Sequence, residues 1–154
     1  MLRTVNWLAR RAGPLARASE THGQRYRVAA SFGLAGVPAP LPADATVTLL
    51  RIAQESLVNA AKHAAGQPVA VGLDYGDADV RLTVRNELAL GAQAPGGGAD
   101  ADSPAGVTTV DGGYGLTGMR ERLRLLNGTL RAGRCQNQWI VTAELPRPRA
   151  SVPS

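Results

Sequence analysis

The sequence predicts an α+β fold: a two-layer α/β sandwich in which a mixed, mostly antiparallel sheet carries helices on one face. Three observations predict it. Segments of strand period and helical period follow one another as strand, helix, hairpin, long loop, helix, hairpin. The hairpin segments alternate apolar with small or polar residues, as strands covered on one side do. Two of the helical segments each carry an apolar stripe that needs another surface to cover it. At 154 residues the chain has the size of one domain, and no internal repeat divides it.

At the N-terminus Leu2, Val5, Leu8, Ala12 and Leu15 recur at helical spacing, with Arg3, Arg10, Arg11 and Arg17 elsewhere and no acid before Glu20. An arginine-rich, acid-poor amphipathic start suits a transit peptide or a membrane-surface helix. The plainer reading, which we favour, makes residues 1–25 a connector helix or linker leading in from a preceding domain. Gly13-Pro14 would interrupt either version. From Tyr26 to Phe32 the residues Tyr26, Val28, Ala30 and Phe32 alternate with Arg27, Ala29 and Ser31, which predicts a strand. Gly33 to Pro42, rich in Gly and Pro, then reads as a loop.

The stretch Leu49 to Ala64, LLRIAQESLVNAAKHA, predicts a helix. Asp44 or Thr46 can cap its start, and Lys62 and His63 precede Gly66 at its end, where cations suit a helix C-terminus. At ~100° per residue Glu55, Asn59 and Lys62 share an arc of about 60°, with Leu50, Leu57, Ala61 and Ala64 on the opposite side. An ordinary amphipathic helix with a solvated polar face is one reading. Ile52, on the same arc as Asn59, favours the other, a half-buried pocket wall. Lys62 is the only lysine, and its compact charge on a flexible stem suits a phosphate as well as solvent.

Val69, Val71, Leu73 and Tyr75, then Val80, Leu82 and Val84, alternate around Gly76-Asp77 and predict an antiparallel hairpin that ends at Arg85-Asn86. Residues 87–112, with Gly96-Gly97-Gly98 and several prolines, have no core period. A loop this long in a compact domain is a lid over a ligand or a tolerated low-complexity insertion. Gly113-Tyr114-Gly115-Leu116 runs into a helical stripe of Leu116, Met119, Leu123 and Leu126, which Asn127-Gly128 ends. Thr129 to Ala132 and Trp139 to Leu145 form a second hairpin, and Pro146 stops it. The tail, residues 147–154, has no core residues and is expected to be disordered.

Several chemistries are disfavoured. One cysteine, Cys135, rules out an intramolecular disulfide and points to a reducing compartment. The net charge of +5 comes from dispersed arginines with few aromatics, so no nucleic-acid partner is expected. No run approaches the ~18 apolar residues of a membrane span, so no membrane contact is expected of this domain. His22 and His63 lack metal-ligand spacing and give no Ser-His-Asp order. Neither a Walker pattern nor GxGxxG after a strand is present. A phosphate site is one reading left open, beside the commoner plain turn. Glycines that open a helix, Gly113-Tyr114-Gly115-Leu116, let backbone N–H groups approach a phosphate, though a plain turn has the same composition. Asn59 offers an amide oxygen that magnesium accepts beside phosphate oxygens and waters. Glu55, one turn earlier, can serve as a general base or as a helix-surface ion-pair partner.

Together the pieces resemble the ATP-binding catalytic domain of sensor histidine kinases of the nitrate-sensor and desaturase-thermosensor type. These belong to the superfamily of gyrase, heat-shock chaperone, kinase and mismatch-repair ATPases, whose sandwich with a long ATP lid is called the Bergerat fold. The likeness spans residues 26–146. RIAQESLVNAAKHA at Arg51 to Ala64 looks like the N box, GYGLTGMRERL at Gly113 to Leu123 like the G2 box and its helix, and WIVTAELP like the last core strand. The resemblance implies that Asn59 holds Mg2+ against the phosphates of ATP, that Lys62 and His63 contact phosphate, and that Glu55 is the catalytic polar residue. It implies backbone contacts and a lid hinge at Gly113 and Gly115, with Leu116 in the same turn and a hydroxyl from Thr117. The family's DxGxG, whose Asp reads the adenine amino group, corresponds to Asn86-Glu87-Leu88-Ala89-Leu90, so Asn86 stands at the Asp position and leucines at both glycines. The usual Gly-Thr of the last strand corresponds to Gln138-Trp139. An Asn accepts the amino proton without charge assistance, so weaker or altered ATP binding is expected.

His22 lacks the acidic helical context of a phosphoacceptor, so the implied partners are a dimerisation domain that carries the histidine, in the same or a paired kinase, and a response regulator. The implied location is the cytoplasm, with any membrane anchor upstream. The alternative is a degenerate nucleotide-binding or protein-interaction module, anti-sigma-like or a pseudokinase.

Overall fold

The computed structural model describes residues 2–38, 41–88 and 114–147, with side chains described from residue 13 of the first helix and from residue 117 of the third. The elements run α1 (Leu2–Tyr26), β1 (Ala30–Gly36), α2 (Ala43–His63), β2 (Val69–Tyr75), β3 (Asp79–Glu87), α3 (Tyr114–Leu125), β4 (Thr129–Cys135) and β5 (Gln138–Pro146). The strands form one sheet in the order β1-β2-β3-β5-β4. Only β1 and β2 are parallel, and the other pairings are antiparallel. The fold is the expected α+β sandwich. Its core forms where the alternate residues Val80, Leu82 and Val84 of β3 and Val141, Ala143 and Leu145 of β5 meet Ile52 of α2 and Leu123 of α3. Ile52, Leu82, Leu123 and Val80 are wholly buried; each such side chain contributes about 1.5–3 kcal/mol relative to exposure.

The N-terminal third differs from the sequence expectation. Gly13-Pro14 does not interrupt α1, which continues to Tyr26 with Pro14 inside it. Leu15, Ser19 and His22 are buried beyond the proline, and the Ser19 hydroxyl donates to the Ser31 carbonyl oxygen of β1 at 3.1 Å. Tertiary contact therefore holds the helix where local propensity would break it. The predicted strand Tyr26–Phe32 begins four residues later. Arg27, at φ 53°, takes the left-handed position after the helix, and the Val28 N–H donates to the Gly23 carbonyl at 3.2 Å, a Schellman closure without glycine at the turn. The Tyr26/Val28 alternation thus belongs to a helix end. Gly33 to Gly36, expected in a loop, pairs with Gly72 to Tyr75. Gly36 needs to be glycine, since its φ is +80° and a Cβ there would lie 2.0 Å from the Tyr75 carbonyl oxygen.

Neither Asp44 nor Thr46 is the cap of α2. The N-cap is Pro42, which makes no side-chain bond. Asp44 sits in the first turn, where its carboxylate accepts from the Ala45 N–H at 2.9 Å and complements the helix dipole. Both hairpins form as predicted: β2 has the predicted bounds, and β3, β4 and β5 are each longer by one to three residues at an end. The expected lid start is also corrected. Glu87 is the last residue of β3, and Leu88 is buried in the core with its N–H on the Asn137 carbonyl at 2.9 Å. The rest of the predicted lid, Gly113 and the tail from residue 148 lie outside the described residues.

Candidate functional site

The candidate site is built on α2. Its buried residues are Ala45, Thr48, Leu49, Ile52, Ala53, Ser56, Leu57 and Ala60, while Leu50 and Ala61 are only half-buried. The core face is thus turned by roughly 100° from the predicted stripe. Small residues explain the difference. Ala53, Ser56 and Ala60 let the helix approach the sheet, and the buried hydroxyls of Thr48 and Ser56 are satisfied by donating to the Asp44 and Ile52 carbonyl oxygens, each at 2.7 Å. Glu55, Asn59 and Lys62 consequently flank the core face instead of opposing it. Glu55 and Asn59 are half-buried, and Lys62 and His63 are exposed in the last turn. Glu55 and Asn59 thus sit at the border of the core, in which Ile52 itself is wholly buried.

Glu55 takes part in no ion pair among the described residues, which join Arg81 to Glu144 and Arg124 to Glu121. The surface-pair reading of Glu55 is therefore not realised. No three His, Cys, Asp or Glu side chains cluster as metal ligands among the described residues. A dedicated protein cage for a cation is absent from that set. A single amide oxygen such as that of Asn59 fits magnesium only as a share of a shell completed by phosphate and water, which is how magnesium is commonly held.

α3 packs against α2 and opens at Tyr114, so Gly115, Leu116 and Thr117 lie within its first turn instead of ahead of it. The N–H groups of residues 114–116 are among those that an α-helix leaves without intrahelical acceptors. That turn carries no acidic side chain to offset its partial positive charge, and Thr117 is exposed.

Asn86 stands near the end of β3. It is 4% exposed, on the helix-covered face of β3, between Val69 of β2 and Trp139 of β5 in the sheet register. Its Nδ2 donates to the Glu87 carbonyl oxygen at 3.2 Å. This bond fixes the amide, and Oδ1 accepts nothing among the described residues, so the acceptor that an amino group would need is the one left open. Leu88 and Trp139 beside it are buried in the core. Three positions that depart from the family pattern thus adjoin one another. The adjacency of Asn86 and Trp139 was invisible in the sequence because it depends on the β3–β5 register.

Neither a sequence-family model nor a curated protein matches the chain. Solved structures do. The catalytic domain of histidine kinase ThkA superposes with a TM-score of 0.63 at 15% identity, over 93% of this chain and 92% of that one. A mycobacterial sensor histidine kinase, MprB, gives 0.57 at 21% identity, over 89% and 95%. Acinetobacter baumannii histidine kinase AdeS gives 0.62 at 14% identity, over 90% of this chain but 64% of its own. The chain therefore has the fold of histidine kinase catalytic domains.

Proposed function

We propose that the chain is the ATP-binding catalytic domain of a sensor histidine kinase, transferring the γ-phosphoryl group of ATP to a histidine on a dimerisation domain, and from there to a response regulator. Residues 26–146 would form the nucleotide-binding domain, with α1 as its connection. The observation that carries the reading is the half-buried Glu55–Asn59 row at the border of the α2 core face, on a helix packed against the Gly-opened α3, within a fold shared with histidine kinase catalytic domains.

In this reading the chain positions and neutralises more than it does covalent chemistry. Asn59 would hold Mg2+ through its amide oxygen, and the bound cation would supply charge neutralisation at the phosphates. Lys62, exposed in the last turn of α2, would reach a phosphate oxygen, with His63 beside it. The free N–H groups at Gly115 and Leu116, with Gly113 before them, would donate to a second phosphate edge, and the Thr117 hydroxyl would add to them. Glu55 would orient or deprotonate the incoming imidazole. Asn86 would accept from the adenine amino group through Oδ1.

The test is calorimetric titration of Mg-ATP into wild type and Asn59→Ala, followed by transfer of labelled phosphate onto a separately purified dimerisation domain. Heat and transfer in the wild type, both lost in Asn59→Ala, are expected. No heat up to millimolar ATP would sink the proposal, and binding of the dimerisation domain without transfer would favour the interaction-module alternative.

A further inference from the structure

Between α1 and α2 lies a groove of about 480 Å³. Leu50, Leu57 and Val58 line it from α2, roughly 100–180° around that helix from Asn59, so it is separate from the candidate nucleotide site. Its floor is apolar and its rim cationic. Val58 and Tyr26 are each 42% exposed, and the groove brings them together as one apolar surface. Arg17 and Arg25 also line it and are exposed, whereas no Asp or Glu does.

Among the described residues neither guanidinium is neutralised. Arg17 Nε donates to the Gly13 carbonyl at 3.4 Å, and Arg25 lies 5.5 Å from the Tyr26 ring centroid. Among the described residues neither pairs with a carboxylate. Eight residues separate the two, so they stand ~12 Å apart along α1, the rise of about two helical turns. The floor below them is walled by two packed helices, the shape into which an amphipathic helix lays its i, i+3/i+4, i+7 residues.

We propose that this groove docks an acidic amphipathic helix of a partner protein, with apolar residues on Leu50, Leu57 and Val58 and carboxylates on Arg17 and Arg25. A flat anionic bilayer would not fill a concave floor, and a phosphate polymer would leave that floor in water. The two arginines would set orientation and association rate, and the floor would supply the buried area.

Fluorescence anisotropy of the full chain with a labelled helical peptide of about five turns tests this, with leucine at i, i+3, i+7 and glutamate flanking. Micromolar binding is expected, weakened about tenfold or more by combined Arg17→Glu and Arg25→Glu, which should also make a lysine-flanked peptide the better ligand. A scrambled peptide of equal composition should bind about tenfold more weakly, and Val58→Asp should weaken binding without reversing the charge preference. An unaltered melting temperature shows that the double variant is folded. No binding at millimolar peptide, equal binding of the scrambled peptide, or indifference to the double variant would overturn the proposal. So would arginine-dependent binding of anionic vesicles or duplex DNA that exceeds binding of the peptide.

Discussion

The two parts of the candidate site are built in opposite ways. In one, Glu55, Asn59 and Lys62 sit half-buried or exposed on α2, without ion-pair partners among the described residues. In the other, Asn86, Leu88 and Trp139 are all buried, and Asn86 bonds to its own chain. The first part keeps polar atoms available at the expense of packing; the second contributes packing and keeps one acceptor. Function should therefore depend most on the α2 part, and stability on the Asn86 part.

The largest expected effect follows in the packed part. Leu88→Ala removes a buried side chain and should lower unfolding stability by about 2–5 kcal/mol, measured by urea denaturation, while Mg-ATP affinity per folded molecule is not reduced. A loss below about 0.5 kcal/mol would erase the contrast. Asn59→Ala should do the reverse, lowering phosphoryl transfer about 100-fold, as removal of one charge-stabilising group commonly does, with stability changed by less than about 1 kcal/mol.

Asn86→Asp sharpens the comparison. A carboxylate would accept the adenine amino group with charge assistance, so ATP affinity should rise about fivefold by calorimetry, at some loss of thermal stability from burying the charge. Unchanged affinity would mean that the base is not read at Asn86.

The smallest effect lies away from both parts. His22 is buried against Tyr26, with ring centroids 4.8 Å apart, and burial pushes its pKa below the ordinary 6.5. The unfolded chain therefore takes up this proton more readily than the folded one. His22 does not oppose folding above the ordinary value, and stability falls as pH drops through the window between 6.5 and the lowered value. His22→Gln should flatten that slope in urea unfolding at stepped pH, and an identical slope in both proteins would exclude the residue as its source.

Much of this was legible in the chain. Val69/Val71/Leu73 and Val80/Leu82/Val84 specify a hairpin because period two matches a sheet with one covered face, and the register follows from keeping those residues inward. The polar row of α2 was legible for the same reason, since helical spacing alone places Glu55, Asn59 and Lys62 together. Which face of α2 turns to the sheet was not legible, because Ala53, Ser56 and Ala60 carry little apolar signal and are buried for their small size, with the one hydroxyl among them, that of Ser56, satisfied. The helix through Pro14, the left-handed Arg27, and the meeting of Asn86 with Trp139 share one cause. Local pattern reports what a segment does alone, whereas a buried Leu15, a closing Val28 N–H and a cross-strand register act only once distant segments have met. Period and residue type by themselves determined the elements and the α2 row; tertiary packing decided where helices end, which face is core, and what stands beside Asn86.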